Sequence, residues 1–209
     1  MTREENRTRL SPNTSSTTVY LLATLPPLFW AGNFLVARAM RDVIPPFQMS
    51  FWRWVIAFLI LLPLVWASAL ERRADIKKEF TWLLMLGAIG VTAFNCFIYA
   101  ALHHTTVINA SLINSFMPAV TILFALMILR ERIGKRKILG LALSSVGAVL
   151  IISRGDFSQI ATLTANRGDL LVLIGLTFWA LYTVLIRWRP SRLPPLVFLA
   201  ATIGFGALL

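Results

Sequence analysis

The sequence predicts an all-α integral membrane protein built from inverted five-helix repeats and cut short in its seventh helix, and three observations predict it. The first is composition. Of 209 residues, 57% are hydrophobic and only 14% are charged, too few polar side chains to cover the exposed faces of a fold in water. The second is the arrangement of the apolar residues, which fall into long runs separated by short polar loops. The third is an internal repeat that brings Phe29-Trp30-Ala31 into register with Phe178-Trp179-Ala180.

The runs are Val19–Met40, Pro46–Ala69, Phe80–Leu102, Thr106–Leu129, Ile138–Ser153, Gly168–Trp188 and Pro194–Leu209. Lipid offers no hydrogen-bond partner to an open backbone, so each is predicted to be a helix. The first carries Pro26-Pro27 and Asn33 and ends at Arg38. The second starts at Pro45-Pro46 and holds Arg53 between Trp52 and Trp54, with Pro63 beyond. The third contains Asn95 and Cys96 and closes on His103-His104. Asn109, Ser111, Asn114, Ser115 and Pro118 interrupt the fourth. The fifth is short and shows Gly140, Ser144 and Ala148 at four-residue spacing, with Gly147 nearby; close helix packing is the ordinary meaning of such a face.

The sixth run restarts the first. Without a gap, Arg38 meets Arg187 and Pro45-Pro46 meets Pro194-Pro195. Shared apolar composition would not put two arginines and two proline pairs in register. Five helices per copy, an odd number, send the second copy through the membrane upside down, the logic of inverted-repeat carriers. The expected organisation is a disordered cytoplasmic tail at 1–17, a first repeat at 18–154 and the start of a second at 168–209. The seventh run is short for a span, and the repeat implies roughly 90 further residues.

A net charge of +11 raises the question of nucleic acid, which cationic side chains bind through phosphate. Here the charges lie between apolar runs, so no nucleic-acid partner is expected. Fifteen of the twenty Lys and Arg fall in the tail and the alternate loops around Arg72–Lys78, Arg130–Lys137 and Arg187–Arg192. That asymmetry predicts a cytoplasmic N-terminus. No apolar core with a cleavage site follows the tail, so no removable signal is expected.

Arg53 is the residue most open to a chemical reading. A guanidinium within a span either anchors an anionic group in a polar cavity or snorkels to the interface beside belt tryptophans, and both readings stand. Asn33 and Asn114 either line a substrate path or join helices. Trp30 and Trp179 are expected to shape the walls of such a path. All nine acidic residues lie in the tail, loops or helix ends, which favours a facilitator or exchanger over a proton-coupled carrier. The lone Cys96, the adjacent histidines and the absence of HExxH, P-loop and GxSxG patterns give no metal, cofactor or enzyme reading.

With spans and repeat in hand, the chain resembles the drug/metabolite transporter (DMT) superfamily, and within it the EamA-type transporters. The residues that carry the likeness are Phe29-Trp30-Ala31-Gly32-Asn33, Arg53 followed by Ala57, Tyr99-Ala100-Ala101-Leu102 and Thr105. They continue with Asn109-Ala110, Pro118, Leu129-Arg130-Glu131-Arg132, Gly140 and Gly147. The resemblance implies a ten-helix fold of two inverted repeats in the bacterial inner membrane. It implies efflux of amino acids, related metabolites or drugs through a central cavity, with Asn33, Arg53 and Pro118 near it. Glu131 would cap the fourth helix and pair with Arg132 or Lys135. The competing reading is a non-transporting membrane scaffold.

Overall fold

The computed structural model describes residues 16–40, 42–131, 133–152 and 166–209, and these form helices joined by short turns with no strand among them. In chain order they are α1 (Ser16–Ala39), α2 (Pro46–Glu71), the short α3 (Arg73–Lys78), α4 (Phe80–His104) and α5 (Val107–Leu129). Next come α6 (Lys135–Ile152), α7 (Arg167–Trp188) and α8 (Pro195–Ala207). Five of them, α1, α2, α4, α5 and α7, are long and apolar enough to cross a membrane. The protein is therefore an all-α, multi-pass membrane protein. Most of the expected tail, together with Arg132 and the loop after Ile152, lies outside the described residues.

The chain divides into two compact units, one ending at Val36 and the other running from Ala37 to Leu209. The first consists, where described, of α1 as far as Val36, with Pro26-Pro27 in its interior. It begins three residues before the expected run, because a helix tolerates Ser and Thr in its opening turn.

In the second unit α4 is the central element. It packs along α7 on one side, while α8 lies against its middle and against α2. The interior is Leu83, Leu86, Ile98 and Leu102 of α4 with Val172, Leu176 and Val184 of α7, all fully buried. Lipid removes most of the hydrophobic drive between helices, so close approach of backbones carries the packing. A Cβ on Gly87 would stand 2.7 Å from the Thr202 carbonyl oxygen, and one on Gly206 would stand 2.5 Å from Val91 Cβ. A Cβ on Gly90 would meet the Tyr182 ring at 2.5 Å, and one on Gly168 would meet the Thr105 nitrogen at 2.7 Å.

The small-residue face expected on the fifth helix behaves otherwise. Neither Gly140 nor Gly147 would bring a Cβ within 4 Å of another group. Among the described residues the glycines that join helices are on α4, α7 and α8, not on α6.

Two long helices depart from regular α geometry. Gly87–Ala93 of α4 and Ala125–Leu129 of α5 are wound as π-helix, and α5 breaks at Ser115-Phe116 just before Pro118. The Ser115 hydroxyl donates to the Leu112 carbonyl at 2.6 Å across the break. Polar ties then fasten the helix ends. At one end Arg187 bridges to Glu131 at 2.5 Å, and Glu79 accepts from the Ser191 hydroxyl at 2.5 Å and the Arg192 backbone at 3.1 Å. At the other, Arg38 donates to the carbonyls of Leu102 and Thr105, and the Thr105 hydroxyl donates to Asp169 at 2.6 Å. Glu131 thus reaches Arg187 rather than Lys135; the chain turns at Arg130 through a left-handed conformation with φ 53°.

Candidate functional site

Arg53 stands two turns into α2, a helix that Pro46 at its first position is preorganised to start. Its side chain does not run along the surface to the interface. It turns inward, and its guanidinium donates to Oδ1 of Asn95 on α4. Asn95 is buried, and its Nδ2 donates to the Val91 carbonyl at 2.7 Å, inside the π-wound stretch. With the amide nitrogen committed to a carbonyl, the amide oxygen has to face the guanidinium.

Two aromatic rings complete the cage. The guanidinium carbon lies 4.2 Å from the Trp54 ring centroid and 5.5 Å from that of Tyr99. Among the described residues no carboxylate pairs with Arg53. Magnitudes explain why the charge is tolerated there. Placing an arginine at the centre of a span costs about 2.5–3.5 kcal/mol on insertion scales. One charged hydrogen bond of about 1.5–3 kcal/mol and cation–π contacts of about 0.5–2 kcal/mol each offset most of that. The cage stabilises the cation without neutralising it. Arg53 Nε and Trp54 Nε1 remain buried with no hydrogen-bond partner.

Beside the cage is a cavity of about 420 Å³ between α2, α4 and the end of α8, lined among others by Phe47, Gln48, Ser50, Trp54, Thr92 and Cys96. The Thr92 hydroxyl donates to the Gly206 carbonyl at 2.5 Å, so toward the cavity it has only lone pairs to offer. Neutral polar groups, aromatic rings and the small and aliphatic residues Gly206, Ala207 and Leu209 make up this lining.

The other expected site residues lie elsewhere. Trp179 packs on Phe94 at 4.8 Å and on Tyr182 at 5.3 Å, on the α7 side of α4. Asn114 closes the first half of α5, its Oδ1 buried without a partner, and it does not line this cavity. Trp30 and Asn33 belong to the N-terminal unit, three residues apart and hence on one face of α1. Sequence reasoning marked Asn95 as a polar residue within a span but did not join it to Arg53, and it missed the part of Tyr99. A pairing across two helices leaves no periodic trace in one sequence. The tryptophan beside Arg53, read as an interface anchor, was the available signal.

The sequence profile of the EamA-like transporter family matches residues 17–153. An uncharacterized transporter of Bacillus subtilis, YyaM, is 27% identical over 190 residues, covering 91% of this chain and 62% of its own length. An uncharacterized transporter of Archaeoglobus fulgidus is 32% identical over 167 residues, covering 79% of this chain and 56% of its own. One from Methanothermobacter thermautotrophicus is 35% identical over 131 residues, or 62% of this chain and 38% of its own. The chain therefore spans less than two thirds of the length of these relatives. No solved structure matches it.

Proposed function

This chain belongs to the EamA-like transporter family, and from that membership we propose that it exports small metabolites across the bacterial inner membrane by alternating access. The substrates are amino acids, related compounds or drugs. Its partners are that solute and the bilayer, with no cofactor, metal or nucleic acid in the cycle and no covalent chemistry. The observation that carries this reading is the guanidinium of Arg53, held inside a span beside a cavity, with no carboxylate partner among the described residues. A cation that is stabilised but not neutralised suits a solute that arrives, is held and leaves.

The broken α5 supports the same reading, since carriers use interrupted helices to free backbone groups and to hinge. In the proposed cycle the repeats at 18–154 and 168–209 rock against each other, with Arg53 as the solute contact. The N-terminus is on the cytoplasmic side. Extracellular metabolite profiling of cells expressing the full chain, beside cells expressing Arg53→Ala, tests it. A compound that accumulates outside only with the parent protein is the expected result. Identical profiles, with both proteins present in the membrane, would count against export and against Arg53.

A further inference from the structure

We infer that a groove between α2 and α8 seats one acyl chain of an anionic phospholipid, whose headgroup is held at the mouth of the groove by the cations of α3. This does not depend on Arg53 or on the solute the protein carries.

Three elements build the apolar part. Phe58, Leu62, Val65 and Ala69 follow one another at four- and three-residue steps and so share one face of α2. Ala201 and Phe205 of α8 and Ile76 of α3 line the same groove, whose volume is about 390 Å³. The stretch of α2 from Phe58 to Ala69 rises about 16 Å at 1.5 Å per residue. That is the depth of one leaflet in a hydrocarbon core about 30 Å thick. At the Phe58 end the two helices meet, since a Cβ on Gly204 would stand 2.9 Å from the Phe58 ring. At the other end the lining passes to Ile76, and Lys77 is the next residue.

The charged part lies where the groove reaches the membrane surface. The short α3 joins two spans, and Ile76 docks it against the core cluster of Val65, Leu193 and Val197. Arg73 and Lys77, four residues apart, share a face of α3, and both are exposed, as is Lys78. The acidic residues of α3 and its end are engaged elsewhere. Asp75 faces Arg72 at 3.7 Å, and Glu79 accepts from Ser191 and from the Arg192 backbone. Glu71, exposed at the end of α2, is the third acid of this segment. Among the described residues none of Arg73, Lys77 and Lys78 pairs with a carboxylate. These cations complement a lipid phosphate.

The two parts do different work. An acyl chain is as apolar outside the groove as within it, so the groove supplies packing and position rather than a hydrophobic drive. The cations decide which lipid is kept, each Lys or Arg near an anionic headgroup being worth about fivefold in affinity. Basic loops that only fix orientation need no groove beside them. Here the groove and the cations meet on one short helix.

Native mass spectrometry of the full chain, released from detergent with dioleoyl phosphatidylglycerol or dioleoyl phosphatidylcholine, tests the site. The acyl chains are the same, so only the headgroup differs. One phosphatidylglycerol should stay bound, with an affinity at least about fivefold above that of phosphatidylcholine. Replacing Arg73, Lys77 and Lys78 together by Gln should remove that preference, and these exposed positions carry no packing to lose. Replacing Lys135, Arg136 and Lys137 on α6 by Gln removes the same charge and should leave the preference intact. Ala201→Phe or Ala69→Phe, which fill the groove from opposite walls and leave every cation in place, should lower retention of phosphatidylglycerol several-fold. A melting temperature in detergent near that of the parent shows which of the two is folded.

Equal retention of the two lipids by the parent chain would overturn the assignment. So would a loss on α6 as large as that on α3, which would mean attraction to positive charge in general. Phosphatidylglycerol held undiminished by a folded, groove-filled variant would leave a headgroup contact and no groove. A full chain that binds neither lipid, or that flies as a lipid-free dimer, would give the groove to another helix or to a second copy.

Discussion

Asn95 is the neighbour that decides what Arg53 can do. Its amide oxygen accepts a hydrogen bond from the guanidinium and brings no negative charge, so in the proposed site the cation is left to a solute. Replacing Asn95 by Asp would put a carboxylate in that position and satisfy Arg53 from within. Export should then fall to background, while the melting temperature in detergent stays near that of the parent, because a buried pair formed in place adds little net stability. Asn95→Ala makes the contrasting case. It removes a charged hydrogen bond worth about 1.5–3 kcal/mol and leaves the guanidinium short of a partner, so export and melting temperature should fall together. If Asp at this position supported normal export, Arg53 would not be holding the solute. Arg53 itself was legible in the sequence, because a charge within an apolar run stands out. Its cage was not, because Asn95 and Tyr99 come from another helix and from the face that α4 happens to turn toward α2.

Among the helices, the bounds were readable to within a few residues, and the reason is physical. Apolar runs end where Pro, Lys, Arg or His appear, and those residues mark helix starts and membrane interfaces. The π-wound turns in α4 and α5 and the packing faces were not readable. Gly140 and Gly206 look alike in a sequence, yet only Gly206 has a neighbour pressed against it. The two should respond oppositely to substitution. Gly206→Leu would force α8 away from α4 and should cost about 1–3 kcal/mol, seen as a lower melting temperature and a broadened peak in fluorescence-detected size exclusion. Gly140→Ala should be neutral or stabilising by up to about 1 kcal/mol, since alanine is the better helix former where no contact forbids it. A Gly140→Ala variant as unstable as Gly206→Leu would mean that α6 presents a packed face after all. The bridge between Arg187 and Glu131 joins α7 to the end of α5, but both side chains are partly exposed to solvent. Such pairs are worth about 0–1 kcal/mol, so Glu131→Gln should barely move the melting temperature.

At the scale of the whole molecule, the charge asymmetry has a direction. Glu131 with Arg187, and Glu79 with Ser191 and Arg192, gather one set of helix ends, and those ends carry the dense Lys and Arg loops. The opposite ends, tied by Arg38 to Leu102 and Thr105, carry few. Moving one positive charge outward against a potential of about 100 mV costs about 2.3 kcal/mol, so the dense loops are predicted to face the cytoplasm. Single cysteines in a Cys96→Ser background test this on intact cells with an impermeant maleimide. Cysteines at Lys77 and Arg192, both exposed, should label only after permeabilisation, and cysteines at Asp42 and His104 should label at once. The reverse pattern would invert the protein and with it the direction of transport. In the expected orientation α2 enters from outside, and Arg53 lies about 11 Å along it at 1.5 Å per residue. The cavity beside Arg53 then belongs to the outer half of the bilayer. In the parent chain an impermeant maleimide added outside should therefore reach Cys96 faster than the same reagent confined to the cytoplasmic side.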